Sequence, residues 1–304
     1  MTLSQRVEEL TISYGNDSKR AIGEFVLHQK SRLGEYSTVQ IAEATYSSKS
    51  AVVRFAKALG FAGWREFVNQ YVAEQRYQET HYSDVDPNIP FTDKNSTHDI
   101  IQIMCSLQME SLMDTADLMQ EWEVEQTVAL LKRSKRIALF GISPNNLLGE
   151  LFVRRMLTIG RVVETPSLGN SGLLAASLTA EDCAIIVSYS GNARHRDPVC
   201  LLESLKANRV PVVAMTSRGD NYLRQNAKYV FSISSQEKLY SKISTFATET
   251  SIHYIFNVIF SSYFVSDFAQ NYNRKVARGK LLEADRFSTQ KELREDETDR
   301  NSQP

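Results

Sequence analysis

The chain has 304 residues, 42 % of them hydrophobic, which exceeds the usual size of one compact domain and predicts two domains with cores of their own. Its 35 basic and 36 acidic residues nearly cancel, which excludes a net field that would attract a polyanion. Any surface that binds nucleic acid must therefore be a local patch.

The cysteines, Cys105, Cys183 and Cys200, lie far apart, without a C-x-x-C pair or a histidine at metal-ligand spacing. This pattern argues against a disulfide framework and a zinc site, and we expect neither a metal nor a cofactor. The sequence MTLSQRVEEL begins an amphipathic pattern rather than a leader, and no apolar run approaches the roughly 18 residues of a membrane span. We therefore expect a soluble cytoplasmic protein without a membrane partner.

The first part of the chain has helical periodicity from Thr2 to about Arg76, broken by the polar segments YGNDS and RLGEYS. This pattern predicts an all-α domain of short helices over residues 1–76. The stretch HYSDVDPNIPFTDKNST, rich in turn formers, predicts an extended linker over residues 77–98.

Helical periodicity returns from about Asp99 to Arg133, and short β-rich runs then alternate with helical segments. The β-rich runs are RIALFG, RVVET, CAIIVSYS, VPVVAMTS and YVFSIS. Apolar runs with few polar residues suit strands that are buried on both faces, and strands that alternate with helices form a parallel sheet. We therefore predict an α/β domain with a doubly wound parallel sheet over residues 99–282. Such a sheet binds ligands at the carboxyl ends of its strands. A long apolar helix is predicted from Thr245 to Gln270, and the polar tail, residues 283–304, is predicted to be disordered.

Two consecutive helical patterns lie in EYSTVQIAEATYSSKSAVVRFAKALGFAGWREF. Ser37 can cap the first helix, and Ser47 or Ser48 can cap the second, because a serine oxygen accepts from backbone amides otherwise left unpaired. In the second helix the apolar residues fall at i, i+3, i+4 and i+7, which predicts one buried stripe. The stripe residues are Val52, Phe55, Ala56 and Leu59.

The opposite face of the second helix is polar and cationic. A short positive helix with a polar first turn fits the major groove of DNA, where its first turns reach base edges and its cations hold phosphates. The candidate DNA-binding residues are Ser48, Lys49, Ser50, Val53, Arg54 and Lys57. We expect Lys49 and Arg54 to lie nearest the bases. The alternative is an ordinary solvated helix face.

The order S-x-x-x-V-V-R-F-x-K-x-L-G-F-x-G-W-x-E-F, from Ser48 to Phe67, resembles the helix-turn-helix of the RpiR (MurR/RpiR) transcriptional regulators. Members of that family often have Thr where this chain has Ala51. The resemblance implies that Gly60 ends the recognition helix. It also implies that three aromatic residues pack the following helix onto it: Phe61, Trp64 and Phe67.

Two predicted strand-loop-helix junctions, RIALFGISPNNLLGELF and AIIVSYSGNARHRDPVCLLESL, are suited to an anion, because the amides at a helix start carry the positive end of the helix dipole. Gly191 could adopt a positive φ and let the backbone approach closely. The candidate effector-binding residues are Ser143, Asn145 and Asn146 in the first junction and Ser188, Ser190, Gly191 and Asn192 in the second. The alternative for the two serines of the second junction is a plain turn with capping hydroxyls.

The S-x-S-G sequence from Ser188 to Gly191 resembles that of a SIS (sugar isomerase) domain, the phosphosugar-binding module that RpiR regulators carry after their helix-turn-helix. The similarity covers about Ile100 to Gln270 and implies that this loop cradles the phosphate of a sugar phosphate. The chain departs from the family pattern at Asn145, where serine is usual, and at Ala193, where threonine is usual. Nearby basic residues could compensate for the two lost hydroxyls: Arg194, His195 or Arg196.

An isomerase would need a positioned base, for which Glu249, His253 and His195 are the candidates. Glu249 and His253 are four residues apart on one helix face and could simply pair with each other. Because a DNA-binding domain precedes the ligand domain, we interpret the protein as a regulator and not an enzyme. In this interpretation, a phosphorylated sugar changes the disposition of two recognition helices on a double-stranded DNA operator. The alternatives are a phosphosugar isomerase with a helical assembly domain and a regulator that has lost its ligand response.

The expected assembly is a homodimer or a dimer of dimers, since two-fold symmetry would match palindromic half-sites. The apolar residues from Tyr254 to Phe256 and the pair Ile259-Phe260 are candidates for the interface. Burial in the core of one subunit explains these residues equally well.

Overall fold

The computed structural model describes residues 3–13, 17–81 and 85–283. The sequence predicts a disordered tail at residues 283–304, which lies outside the described residues apart from Glu283.

The chain divides into two compact units. The N-terminal unit comprises Met1–Asp114 with Ser241–Ser244, and the C-terminal unit comprises Thr115–Tyr240 with Thr245–Pro304. The division thus falls inside a helix, whereas the sequence places its linker at residues 77–98.

In the N-terminal unit the described helices are α1 (Leu3–Ser13), α2 (Asp17–Gln29), α3 (Thr38–Ala44), α4 (Lys49–Ala58), α5 (Trp64–His81) and most of α6 (Thr97–Leu118), with a 3₁₀ turn at Lys30–Glu35. Phe67 of α5 is fully buried at the centre of this unit's core. The rings of Phe61, Trp64 and Tyr71 lie with centroids 5.2 to 5.4 Å from that of Phe67. The core role of Phe61, Trp64 and Phe67 is confirmed.

The C-terminal unit contains a four-stranded parallel sheet in the order β1-β2-β3-β4. The strands are β1 (Ile137–Gly141), β2 (Cys183–Val187), β3 (Val212–Ser217) and β4 (Tyr229–Ile233). The helices of this unit that follow α6 are α7 (Glu121–Arg133), α8 (Asn145–Thr158), α9 (Ser171–Ser177), α10 (Leu202–Ala207), α11 (Tyr222–Asn226), α12 (Phe246–Val265) and α13 (Phe268–Leu282). The predicted fold class, a helical domain followed by an α/β parallel-sheet domain, is confirmed.

Helices cover both faces of the sheet. Alternate residues of each strand pack into two separate hydrophobic clusters, one on each face. Ile137 and Leu139 pack with residues of α7, α8 and α12, whereas Ala138 and Phe140 pack with residues of α9 and α10. Since successive side chains of a strand point to opposite faces, both faces are buried, which explains the nearly continuous apolar runs of β1 and β2.

The predicted strand in RVVET is wrong. Glu164 forms one bridge, to Ala138 of β1, and lies outside the named strands. Pro166 follows shortly after, and because proline has no amide hydrogen it cannot continue a ladder of hydrogen bonds.

The apolar helix predicted from Thr245 to Gln270 is two helices, since α12 ends at Val265 and α13 begins at Phe268. Asn271 is buried, and its side-chain amide donates to the carbonyl of Phe264 at 3.0 Å. This bond satisfies an acceptor at the end of α12 and explains why the break is stable. Ile255, Phe256 and Ile259 are buried in the core of the C-terminal unit itself.

Within the described ranges, no helix has the length and apolarity that a bilayer crossing requires. The same residues contain no group of three or more His, Cys, Asp or Glu side chains that could hold a metal ion. The three cysteines are free.

Candidate functional sites

Helix α4 begins at a capped end. The Ser48 hydroxyl accepts a hydrogen bond from the backbone amide of Ala51 at 3.1 Å, so Ser48 is the cap, while the Ser47 hydroxyl lies 2.9 Å from that of Thr45. Ser37 caps α3 in the same way, with Gln40 completing a capping box. The predicted caps are thus confirmed, and they place α3 and α4 as two short helices joined by a tight turn.

Helix α4 ends where the sequence predicts, at a glycine with a positive φ. Gly60 has φ +89°, its amide donates to the carbonyl of Lys57 at 3.0 Å, and the amide of Phe61 donates to that of Ala56 at 3.1 Å. Arg6 of α1 also donates to the carbonyl of Leu59. The sequence around α4 does not indicate this contact, because Arg6 lies far from this helix along the chain.

The two faces of α4 differ as the spacing predicts. The apolar stripe is buried: Val52, Phe55, Ala56 and Leu59. Ser48, Lys49, Ser50, Arg54 and Lys57 are exposed on the other side. Val53 is half-buried and packs against the core, so it is the least accessible of the predicted DNA-binding residues.

No described residue neutralises the cations of this face. Within the described part of the chain, Lys49, Arg54 and Lys57 form no ion pair. The hydroxyls of Ser48 and Ser50 lie 2.9 Å apart and share one hydrogen bond. The surface is therefore a short cationic helix face with a polar first turn, which suits phosphates and base edges.

The first predicted effector loop lies between β1 and α8. Ser143 is exposed, and Asn145 and Asn146 are half-buried. The first two amides of α8 already donate to the carbonyl of Ile142, at 2.8 and 3.4 Å, so the expected row of free amides at this helix start is not present in this loop. The Asn146 side chain offers an acceptor instead, because its Oδ1 is buried and has no hydrogen-bond partner among the described residues.

The second predicted effector loop follows β2, and Ser188, the first residue after this strand, still bonds to the neighbouring strand β3. Its amide donates to the carbonyl of Met215 at 3.0 Å, and its hydroxyl accepts from the amide of Gly191 at 3.4 Å. Ser190 is half-buried, and its hydroxyl forms no hydrogen bond with any residue that the structure describes. Its hydroxyl is therefore available to a ligand.

Gly191 and Asn192 hold the loop to its neighbours. Gly191 has φ +63°, as expected, and a Cβ there would lie 2.2 Å from Oδ1 of Asn221 and 2.6 Å from Oγ1 of Thr216. The close approach that this glycine permits is thus to the protein itself. The side-chain oxygen of Asn192 accepts from the amide of Tyr222 at 2.9 Å, at the start of α11.

The second loop is not followed by the helix start that the sequence predicts. A 3₁₀ turn, Val199–Leu201, comes first, and α10 begins only at Leu202 and is six residues long. The loop from Ser188 to Asn192 is therefore not followed directly by a helix start, and its side chains and turn geometry must provide any anion contacts.

The candidate compensating cations lie between the S-x-S-G loop and this 3₁₀ turn. The Arg194 guanidinium carbon lies 4.1 Å from the centre of the Tyr222 ring, whose hydroxyl donates to Glu203. The stack holds Arg194 against α11. His195 and Arg196 are exposed.

Comparison with known proteins identifies both units. Residues 2–75 match the helix-turn-helix domain of the rpiR family, and residues 130–256 match the SIS domain. The chain belongs to the RpiR family of transcriptional regulators. An HTH-type transcriptional regulator of Haemophilus influenzae is 27 % identical to it over 222 residues, which cover 70 % of this chain and 73 % of that protein.

Solved structures share the fold of this RpiR-family chain. The Vibrio vulnificus NanR protein complexed with ManNAc-6P has a TM-score of 0.55 and 16 % identity, covering 92 % of this chain and 98 % of that one. A Listeria monocytogenes protein described as a candidate sugar-phosphate isomerase has a TM-score of 0.53 and 16 % identity, covering 64 % of this chain and 100 % of that one.

The SIS domain of this regulator does not pair its two candidate bases on α12. Glu249 accepts a hydrogen bond from Thr245, and Nε2 of His253 lies 3.4 Å from a guanidinium nitrogen of Arg155. Burial, with the positive charge of Arg155, lowers the pKa of His253. The interpretation that Glu249 and His253 bind each other is wrong, because each has its own partner.

Sequence reasoning missed the residues that shape the S-x-S-G loop of the SIS domain. Tyr189 donates its hydroxyl to the carbonyls of Ser235 and Glu237, at 3.0 and 3.1 Å. Asn221 and Thr216 form the wall behind Gly191. In the sequence, only Asn221 has a recognisable role, as a cap of the helix that begins at Tyr222. The neighbouring sequence does not indicate that Asn221 contacts the S-x-S-G loop.

Proposed function

We propose that α4 of this RpiR-family regulator binds the major groove of a DNA operator and that the SIS domain binds a phosphorylated sugar that controls this binding. The observation that carries the proposal is the division of α4 into a buried apolar stripe and an exposed face whose three cations form no ion pair with any described residue. Such a helix is held rigidly by its own core while its polar side stays open to DNA.

The candidate DNA-contacting residues act in two ways. Ser48, Lys49 and Ser50 lie in the first turn of α4 or at its cap, which is the end of a recognition helix that reaches base edges. Arg54 and Lys57 lie one and two turns further along and supply charge for phosphates. Phosphate contacts fix the position of the helix, and contacts in the first turn specify the sequence.

The proposed effector site uses side chains at the carboxyl edge of the sheet. The open hydroxyl of Ser190 and the Ser188 hydroxyl suit a phosphate, and the unpaired Oδ1 of Asn146 suits a sugar hydroxyl as donor. The NanR protein of similar fold, complexed with ManNAc-6P, supports a phosphorylated amino sugar as the class to test first.

The protein acts as a homodimer or a dimer of dimers in this proposal. A ligand that binds one arrangement of the subunits more tightly than another shifts the spacing of the two recognition helices. Operator half-sites would then lie about one turn of DNA apart, or a multiple of it.

Salt-dependent DNA binding tests the first part of the proposal. A duplex selected in vitro from random sequences by the full-length protein is titrated by fluorescence anisotropy from about 50 to 200 mM salt. The Arg54→Ala/Lys57→Ala variant should lose most of its affinity, and its salt slope should fall by about two. Lys206→Ala, which removes an exposed cation of the SIS domain, is the control. Unchanged binding by the double variant would exclude α4 as the recognition helix.

Calorimetry with a panel of sugar phosphates tests the second part. Heat of binding with the parent, and its loss in Ser188→Ala/Ser190→Ala, is the expected result, with the unphosphorylated sugars as ligand controls. Thermal unfolding of the variant shows whether it remains folded. Absence of heat from every compound would favour a regulator without a small-molecule response.

Sugar-phosphate isomerisation is the second candidate function, because a Listeria monocytogenes candidate isomerase shares the fold. We propose that this chain is not an enzyme, since Glu249 and His253 are each engaged by a neighbour. Turnover of an aldose or ketose phosphate that collapses in Glu249→Gln would contradict this.

A further inference from the structure

Tyr46 lies in the turn between α3 and α4 with a backbone conformation that disfavours its side chain. Its φ is +47°, in the left-handed region that a bulky residue rarely adopts. Tyr46 is not among the DNA-binding residues that the sequence predicts.

The turn at Tyr46 is one that normally requires glycine. The Tyr46 amide donates to the carbonyl of Glu43 at 3.3 Å, and the Ser47 amide donates to that of Ala42 at 2.8 Å. These two bonds form a Schellman motif, in which the left-handed residue is usually glycine. The chain itself uses Gly60 in the same motif at the end of α4.

Nothing in the described part of the protein compensates for this strain. The Tyr46 side chain is 99 % exposed. Among the described residues this side chain forms no hydrogen bond and no ring contact. The left-handed backbone alone does not mark a function, since Arg209 shares it, but a fully exposed aromatic ring in this turn, beside the start of α4, indicates a contact with a partner outside the chain.

The position of Tyr46 indicates what it contacts. It comes two residues before the Ser48 cap, at the end of α4 that presents Lys49 and Ser50. A helix that enters the major groove by this end brings the preceding turn against the phosphates that border the groove. Tyrosine hydroxyls are among the donors that bind DNA phosphates.

We propose that Tyr46 is a DNA-contacting residue whose hydroxyl donates to a phosphate beside the groove that α4 enters. This rests on the proposed function of α4. The residue contributes affinity and position and does not read sequence, because a phosphate carries no sequence information.

Tyr46→Gly should change stability and DNA binding in opposite directions. Glycine relieves the left-handed backbone, so the melting temperature should rise by about 4 °C in calorimetry of the full-length protein. Loss of one hydrogen bond to a charged phosphate should weaken binding to the selected duplex about 10-fold or more. A purely structural residue would not give this combination.

Arg209→Gly is the matched control. Arg209 has φ +55° in the same motif at the end of α10, with its amide donating to the carbonyl of Lys206 and the Val210 amide to that of Leu205. This variant should also gain stability, but its affinity for the duplex should equal that of the parent.

Tyr46→Phe separates the hydroxyl from the ring. It should weaken binding to the selected duplex and to a random-sequence duplex by the same factor. Its salt slope should match the parent, because a neutral donor displaces no counterion, whereas Lys57→Ala should lower the slope by about one.

The outcomes distinguish this inference from the proposed function. If Arg54→Ala weakens DNA binding but Tyr46→Gly and Tyr46→Phe bind as the parent does, Tyr46 is not a contact and this inference fails alone. If Arg54→Ala also binds as the parent does, the recognition helix is misassigned and both fail. Weaker binding by Tyr46→Gly with full affinity in Tyr46→Phe would overturn the hydroxyl contact.

Discussion

The hydroxyl of Tyr189 lies 3.1 Å from the main-chain oxygen of Glu237 and shares its hydrogen between this acceptor and the carbonyl of Ser235. The Glu237 carboxylate in turn accepts from the amide of Ala247 at 2.7 Å and from the hydroxyl of Thr248 at 2.7 Å, at the start of α12. The S-x-S-G loop is thereby connected to the first turn of α12, the helix that bears Glu249 and His253.

Tyr189→Phe should loosen this connection. Loss of the hydroxyl removes a donor from two main-chain carbonyls, so the free energy of unfolding should fall by about 1 kcal/mol. The S-x-S-G loop would be less rigid, and sugar phosphate should bind more weakly in calorimetry. Tyr240→Phe, at a 90 % exposed tyrosine, is the control and should match the parent in both measurements. If Tyr189→Phe binds sugar phosphate as tightly as the parent does, the Tyr189 hydroxyl does not contribute to ligand binding.

Gly191→Ala should be destabilising for two reasons. Its φ of +63° disfavours a side chain, and the new Cβ would overlap Oδ1 of Asn221. We expect a loss of about 2 to 4 kcal/mol in urea unfolding. Gly169→Ala is the matched control, since Gly169 has φ +81° but no neighbouring atom within 4 Å of the position that a Cβ would take, and it should lose only about 1 kcal/mol. Equal losses would show that the Asn221 side chain simply moves aside.

Ser48→Asp should separate capping from DNA binding. Aspartate caps a helix as well as serine does, so the melting temperature should stay near that of the parent. Its negative charge at the exposed start of α4 should repel DNA and weaken binding at least about 10-fold. Ser48→Asn keeps a similar shape without the charge and should bind DNA far better than Ser48→Asp. If the two variants bind equally well, the start of α4 does not approach phosphates.

The Arg136–Glu164 pair predicts a dependence of stability on acid. The guanidinium donates to both carboxylate oxygens, at 2.8 and 2.7 Å, and these bonds lower the pKa of Glu164. A lowered pKa means that the stabilisation is present above the ordinary pKa of glutamate and is lost as the pH falls through the folded-state value. Because the side chains are 36 % and 35 % exposed, solvent screens the pair and the effect is at most about 1 kcal/mol.

Urea unfolding between pH 7 and pH 3 checks this expectation, because the folded-state pKa of Glu164 lies below the ordinary value. The parent should lose more stability over this range than Glu164→Gln, which has no carboxyl group to titrate at that position. Parallel pH profiles of the two proteins would contradict the role of this ion pair.

The sequence predicts α4 well because its signals are local. The Ser48 cap bonds to a residue three positions away, the stripe repeats within one helix, and Gly60 follows at once. The parallel strands are equally local, since burial on both faces demands runs of apolar residues. The segment RVVET shows where such local prediction fails, because an apolar run beside the sheet can form a single bridge instead of a full strand.

The effector loops are harder to read, since the partners of their polar groups come from elsewhere in the chain. The sequence predicts Asn192 as a ligand contact, but its side-chain oxygen accepts from the amide of Tyr222. It predicts Asn146 as a donor, but the side-chain oxygen of Asn146 is a buried acceptor without a partner among the described residues. These assignments depend on packing between elements that no spacing reports.

By itself the amino-acid sequence determined the helical and α/β domains, the caps of α3 and α4, the stop of α4 at Gly60, and which face of α4 is cationic. Each of these follows from periodicity or from hydrogen bonds between residues a few positions apart. Only the tertiary structure decided that Gly191 packs against Asn221, that Tyr189 joins the S-x-S-G loop to the segment before α12, and that Tyr46 stands exposed in a strained turn. Contacts between distant segments and the accessibility of a single side chain are set by how the elements pack, which local sequence does not encode.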